Sequence, residues 1–321
     1  MKAVIHTRYG PPQVAKVCEI NIPQLKDNEI LIRVYTSTVN RTDSGFRSAE
    51  YFISRFWSGL FRPKQQTLGC EFAGVVEKIG SLVSEFKIGD RVFGFDDEKF
   101  GAHAEYLAIA QDKAISIIPE NLSFDQAAAL TEGGHYALCN IKASKIEIGQ
   151  NALVYGATGA IGTAAVQLLN HMGVHVTAVC NTKNLELVKT IGAQKVIDYQ
   201  KENFLQTDKK FHLIFDAVGK SSFSTCKPLL TTKGIYVSTE LGKNAENVFL
   251  ALFTPLFNSK KVIFPIPIIK KEDVEYLKSL AEVGKFRAII DRIYHLDQIV
   301  EAYTYVETGQ KTGNVLLKIS N

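Results

Sequence analysis

No two of the five cysteines, at positions 18, 70, 139, 180 and 226, stand in a Cys-x-x-Cys spacing. A scattered, odd set argues against a disulfide framework and suits a reducing compartment. No apolar run approaches the length needed to span a bilayer; the longest candidate, 248–257, is short and carries Pro255. Membrane partners are therefore not expected. Nor is there a basic stripe interleaved with aromatics. Lys+Arg 37 against Asp+Glu 33 leaves a net charge of +4, so nucleic acid is not an expected partner either. Met1-Lys2-Ala3-Val4-Ile5-His6 begins directly as structure with no cleavable signal in view. A cytoplasmic location is the expectation. No internal repeat or low-complexity segment stands out.

What is present is a chain of 321 residues, 46% hydrophobic and 22% charged, long enough for two domains. Residues 1–122 read as short strands punctuated by turns, with the clearest strands at 4–6, 29–39, 72–79, 90–95, 104–110 and 114–118. That texture predicts a partly open antiparallel barrel. Residues 41–63 show little alternation and read as a long irregular, functional stretch. From Ser123, where Gln126 completes a capping box, the pattern changes to strands alternating with helices. Strand-like runs at 152–155, 174–180, 195–197, 213–215, 235–238 and 262–264 predict a six-stranded, doubly wound parallel sheet over 123–284. Helices are expected over 185–191 and 271–283. Residues 285–321 return to short strands, 288–293 and 315–319, around a helix at 296–307, and are expected to rejoin the first domain.

The most informative stretch is Gly156-Ala157-Thr158-Gly159-Ala160-Ile161-Gly162. It follows a buried strand and opens a helix, an arrangement that brings backbone amides to a pyrophosphate at a helix N-terminus. The next strand selects the cofactor. It ends in Asn181-Thr182-Lys183-Asn184, with no carboxylate before Glu186. Asn181, Thr182 and Lys183 can donate to a 2′-phosphate that a carboxylate would repel, so NADPH is expected over NADH. A solvated loop is the competing reading.

Several motifs, in order, carry a resemblance: Arg8-Tyr9-Gly10-Pro11-Pro12, Val39-Asn40-Arg41-Thr42-Asp43, Leu68-Gly69-Cys70-Glu71-Phe72-Ala73-Gly74, Phe86-Lys87-Ile88-Gly89-Asp90-Arg91-Val92, the glycine turn, Phe215-Asp216-Ala217-Val218-Gly219 and Thr312-Gly313-Asn314-Val315. Together they resemble the zinc-free quinone oxidoreductase and enone (2-alkenal) reductase branch of the medium-chain dehydrogenase/reductase superfamily. The resemblance implies a GroES-like catalytic domain, a Rossmann-type domain, a cofactor cleft between them and a homodimer. It implies a quinone or α,β-unsaturated carbonyl as substrate. It places Tyr199 beside Lys183 at the 2′-phosphate. Thr131, Val218 and Gly219 fall near the nicotinamide, with Ser238 at a strand end and Asn314 on the tail. Zinc-dependent relatives have ligands where this chain has Asn40, Cys70 and, near the third position, Ala128; the four cysteines of their second zinc are missing from 96–106. One soft ligand cannot close a tetrahedral site, so no metal is expected. Asn40 is the expected donor to the reduced oxygen. Arg47 and Tyr51 are further catalytic candidates, against a structural Asp43–Arg47 pair. No acid–base pair is evident, which leaves the protonation to solvent. Two other readings stand beside a reductase: a cofactor-binding interaction protein, and an alcohol dehydrogenase.

Overall fold

The computed structural model describes residues 1–50, 55–257 and 259–320. The chain divides into two compact units, Met1–Glu132 with Ile269–Asn321, and Gly133–Ile268. These boundaries differ from those expected at 122/123 and 284/285. The reason lies in two helices that look like parts of an alternating α/β pattern but serve the first unit. Phe124–Ala128 stacks Phe124 on Tyr35 at 4.6 Å, and Asp125 accepts from the Thr36 hydroxyl at 2.7 Å. Lys271–Glu282 packs near Ile115–Ile117, and its Glu282 carbonyl accepts from Asn121 at 3.0 Å.

The strands are β1 Lys2–Ile5, β2 Lys16–Glu19, β3 Glu29–Val39, β4 Glu71–Ile79, β5 Arg91–Phe95, β6 Tyr106–Ala110, β7 Ile115–Ile117, β8 Asn151–Tyr155, β9 His175–Cys180, β10 Lys195–Asp198, β11 Phe211–Asp216, β12 Leu230–Ser238, β13 Lys261–Ile263, β14 Ile290–His295 and β15 Asn314–Lys318.

In the first unit the sheet runs β14-β15-β3-β4-β5-β7, and β6 also pairs with β3. The eleven residues of β3 make this possible. Its first half, Glu29–Arg33, pairs with β6, while Thr36–Val39 pairs with β15. Every pair in this sheet is antiparallel except β14 with β15. Ile30, Ile32, Val34, Phe72, Phe93 and Phe95 fill the core beneath it.

The second unit is the expected parallel sheet, in the order β10-β9-β8-β11-β12-β13. Its first strand in sequence, β8, therefore lies mid-sheet, flanked by β9 and β11. Strands covered on both faces need apolar residues throughout, and Leu153, Val154, Ile214 and Phe215 are all fully buried. Strand order reverses at β8, which creates a crevice beyond the carboxyl ends of β8 and β11. No helix among the described residues is long and apolar enough to cross a membrane.

The irregular stretch expected at 41–63 is corrected by the structure. Arg41–Ser48 is an α-helix, started by a capping box in which the Asn40 side chain accepts from the Asp43 amide and Asp43 returns the contact. Its apolar content is low, so periodicity is weak; the Asn-x-x-Asp spacing was the readable signal. Tyr51 lies outside the described residues.

Candidate functional site

In the second unit, strand β8 delivers the chain into the glycine turn. Gly156 has φ +75, a conformation side chains resist, and a Cβ there would meet Val218 at 2.5 Å. Gly162 lies where a Cβ would come within 2.1 Å of the Gly156 carbonyl oxygen. Both glycines are forced by close approach. At Gly159 a Cβ would meet nothing within 4 Å. Gly159 caps the helix Ala160–His171 with no side-chain hydrogen bond, so the first amides are left for an outside acceptor. A glycine cradle, uncapped amides and the crevice of the reversal point coincide, and a dinucleotide pyrophosphate fits them.

The loops around the cradle are held by named contacts. Asp216, fully buried at the end of β11, accepts from the amides of Val218 (3.1 Å) and Ser221 (2.9 Å) and from the Tyr236 hydroxyl. Burial raises its pKa and these donors oppose the rise. Asp216 thus fixes the turn that presents Val218 and Gly219, the latter at φ +64. Buried Ser238 ends β12, and its hydroxyl accepts from the Glu240 amide.

At the end of β9, Asn181 starts a short 3-10 turn, Thr182–Asn184. The Thr182 hydroxyl donates to Asp198 at 2.6 Å and its amide to Gln200, so its donors are spent within the fold. Lys183 is exposed. Tyr199 is 51% exposed and lines a cavity of about 430 Å³ with Tyr155, Gln200 and Phe204. Asp198 is a carboxylate in this neighbourhood that the sequence reading missed, because it sits on the following strand.

In the first unit, Asn40, Thr131 and Asn314 are all buried. Asn40 Nδ2 donates to Cys70 Sγ at 3.1 Å and approaches Thr38 Oγ1 at 3.4 Å. Asp43 accepts from the Gly69 amide at 2.9 Å; burial, opposed by these amides, raises its carboxyl to about 7. His103 Nε2 lies 2.7 Å from the Thr38 carbonyl and must donate to it, which leaves Nδ1 facing the Tyr303 hydroxyl at 3.4 Å. Its 3.8 Å approach to Asp43 is not an ion pair, since burial pushes His103 down to about 4 and keeps it neutral.

Glu71 forms the hub of this cluster. It accepts from Thr38 Oγ1 (2.6 Å), from the Thr131 amide (3.0 Å) and hydroxyl (2.7 Å), and from the Glu132 amide (2.5 Å). A carboxylate on the first amides of the helix Thr131–Ser144 also meets the positive end of its dipole. Glu132, buried beside it, accepts from the Thr42 hydroxyl at 3.2 Å. Burial raises Glu132 to about 8; Glu71 and Asp43 reinforce this and Lys311 opposes it. Lys311 donates to the Gly313 carbonyl at 2.6 Å. Asn314 Nδ2 donates to the Ile289 carbonyl. Glu71, Glu132, Thr42 and Lys311 were not singled out from the sequence; the one signal was a charged residue heading an otherwise apolar strand.

Arg47 is a correction. Its guanidinium, fully buried, donates to the Gly10 carbonyl and to Glu307, and lies over the Tyr303 ring at 4.9 Å. The expected alternative partner, Asp43, is not the one it takes. Arg47 ties three distant segments together and is not offered to a substrate.

The family model described as "Alcohol dehydrogenase GroES-like domain" matches residues 26–120, and "Zinc-binding dehydrogenase" matches 191–317. The chain is 32% identical to a 2-methylene-furan-3-one reductase of Solanum lycopersicum, over 99% of this chain and 79% of that protein. This likeness decides the family. The chain belongs to the quinone and alkenal/one oxidoreductase branch of the medium-chain dehydrogenase/reductase superfamily. It is 30% identical, over the same shares, to a chloroplastic NADPH-dependent alkenal/one oxidoreductase of Arabidopsis thaliana. Among solved structures it superposes on a quinone oxidoreductase from Coxiella burnetii with a TM-score of 0.87, at 28% identity, covering 100% of this chain and 99% of that one.

The second model's name carries a metal that the donor set here does not fit. Asn40 Nδ2 donates a hydrogen bond to Cys70 Sγ, and an amide in place of a soft ligand leaves Cys70 as one metal-binding group where a tetrahedral site needs at least three. Ala128 brings no donor. Among the described residues no group of three or more His, Cys, Asp or Glu is arranged to hold a metal ion.

Proposed function

We propose that this member of the branch is a zinc-independent, NADPH-dependent oxidoreductase that reduces a quinone or an α,β-unsaturated carbonyl. The observation that carries the reading is the cradle of Gly156, Gly159 and Gly162 at the reversal point of the parallel sheet, followed by a strand-end loop with an exposed Lys183. In this reading Gly156 to Gly162 hold the pyrophosphate, while Asn181, Lys183 and Tyr199 face the 2′-phosphate. Val218, Gly219 and Ser238 are the second unit's candidates for the nicotinamide end, and Thr131 and Asn314 are the first unit's candidate cofactor residues. Bound NADPH supplies the hydride. Asn40 donates to the acceptor oxygen as charge develops there. Its present acceptors are a thiol sulfur and, at 3.4 Å, the Thr38 hydroxyl, weak or long contacts that are given up at little cost. Conjugated acceptors spread the incoming charge, so they need no Lewis acid.

The test is loss of the reduced-nicotinamide absorbance when the protein is mixed with NADPH and either 9,10-phenanthrenequinone or an alkenal. Tight NADPH binding with no turnover on a broad acceptor panel would overturn the reading. We further propose a homodimer. Its support is the exposed Phe249, Leu252, Phe253, Leu256 and Phe257 on the helix Glu246–Phe257, which packs beside β13 at the end of the parallel sheet. A second copy would cover both apolar face and sheet edge; a monomeric mass by light scattering would refute it. Five free cysteines, one of them exposed, support a reducing location such as the cytoplasm. Fractionation that finds the protein in an oxidising compartment would exclude this.

A further inference from the structure

We propose that Glu132 stores the proton for this reaction and that Thr42 passes it to the oxygen of the reduced acceptor. The inference rests on the oxidoreductase reading and replaces its least specified part, protonation by bulk water.

The argument starts from where the groups stand. Asn40, Thr131 and Asn314 come from three separate segments of the first unit. Each segment also carries a member of one polar cluster: Thr42 two residues after Asn40, Glu132 directly after Thr131, and Lys311 three residues before Asn314. The Thr42 hydroxyl donates to Glu132 Oε1 at 3.2 Å and joins two of these segments; the relay runs when this bond reverses and the Glu132 O–H donates to Thr42 Oγ1. Glu132 is 3% exposed, whereas Thr42 is only half-buried, so the hydroxyl is the more accessible end of the pair. The two neighbouring acids divide the charge unequally. Burial raises the Glu71 carboxyl too, but the four hydrogen bonds it accepts, two from helix amides, oppose that rise and favour it over Glu132 as the ionised member. Among the described residues the Glu132 carboxyl meets the Thr42 hydroxyl, and burial beside Glu71 and Asp43 favours its protonated form at neutral pH. Lys311 is the cation facing it, and it opposes the charge that Glu132 acquires on losing its proton.

The step balances. Hydride adds to the β-carbon of the enone, a new C–H bond forms, and the C=C π pair moves through the conjugated system onto oxygen. The Thr42 O–H proton goes to that oxygen while the Glu132 O–H proton goes to Thr42. The products are an enol, an unchanged threonine and a Glu132 carboxylate. The enol tautomerises to the saturated ketone, and a solvent proton restores Glu132. For a quinone the same transfer yields the hydroquinone. Thr42 touches the reacting oxygen; Glu132 acts through it.

Two measurements test this. In cofactor-free protein, infrared difference spectroscopy should show a protonated carboxyl signal that titrates near pH 8 and is missing from Glu132→Gln. With saturating NADPH and an enone, Glu132→Gln should lower kcat about 100-fold, the lower range for general acid catalysis, while NADPH affinity holds. The alkaline fall in wild-type kcat should vanish in that variant. Thr42→Val should lose as much and Thr42→Ser should restore turnover, which decides the matter if Glu132→Gln fails to fold. Wild-type kcat in both Glu132→Gln and Thr42→Val, or survival in Glu132→Gln of the carboxyl signal that titrates near pH 8, as distinct from that of Asp43 near 7, would overturn the proton assignment alone. A wild type inert on both acceptors would overturn the oxidoreductase reading and this inference with it.

Discussion

Thr182 and Lys183 are adjacent, yet the fold uses them in opposite ways. The Thr182 hydroxyl is consumed by Asp198, which holds the loop in place, whereas Lys183 stays exposed beside it. On the proposed reading, the charge that discriminates between cofactors is therefore the lysine's, with Asn181 and Tyr199 beside it. Lys183→Ala should weaken NADPH binding about 10- to 100-fold, the worth of one charge-assisted contact of about 1.5–3 kcal/mol, and leave NADH binding nearly unchanged. Equal losses in a fluorescence titration would count against it. Residue types at a strand end were readable from the sequence because chemistry and position coincide there. Asp198 was not, because its contact to Thr182 spans two strands of a parallel sheet and no local spacing announces it. The same holds for Arg47, whose partners Gly10 and Glu307 lie far away in the chain.

The helix Arg41–Ser48 shows what an element adds to its first residue. Asn40 does two jobs with one amide: Oδ1 caps the helix, while Nδ2 faces Cys70. The two can be separated. Asn40→Ser keeps a good cap and removes the amide donor, so unfolding stability should stay within about 0.5 kcal/mol while kcat falls. Asn40→Ala should lose about 1 kcal/mol as well. If serine preserves kcat, the amide is not the donor. Strand elements of the parallel sheet were legible because burial on both faces writes continuous apolar runs. This helix was not, since its buried residues include Asp43, Ser44 and Arg47, which no hydrophobic periodicity can mark.

Across the whole molecule, the acids and the histidines of the first unit pull stability in opposite directions. Glu132 has an ordinary value of 4.5 and a folded value near 8, so its stabilising share is complete below 4.5 and lost as pH rises through 8. Asp43 behaves likewise between 3.8 and about 7. His103, lowered from 6.5 to about 4, acts the other way: its share is complete above 6.5 and lost as pH falls. Urea unfolding followed from pH 5 to 8 should therefore show wild type losing stability on the alkaline side, with the loss reduced in Glu132→Gln. An unchanged slope in that variant would mean Glu132 is already ionised at pH 7.

The Arg47 tie has a consequence for the order in which the protein is made. Its guanidinium needs Glu307, and the Thr36–Val39 half of β3 needs β15, yet both partners follow the entire second unit in the chain. During synthesis the first unit therefore waits with an uncompensated cation and an open strand edge while the second unit is translated. The unit that begins first is finished last. A ribosome-bound chain stopped before residue 290 should present a protease-resistant second unit and a protease-sensitive first one. The nascent Thr36–Val39 edge is where a chaperone would have most to shield.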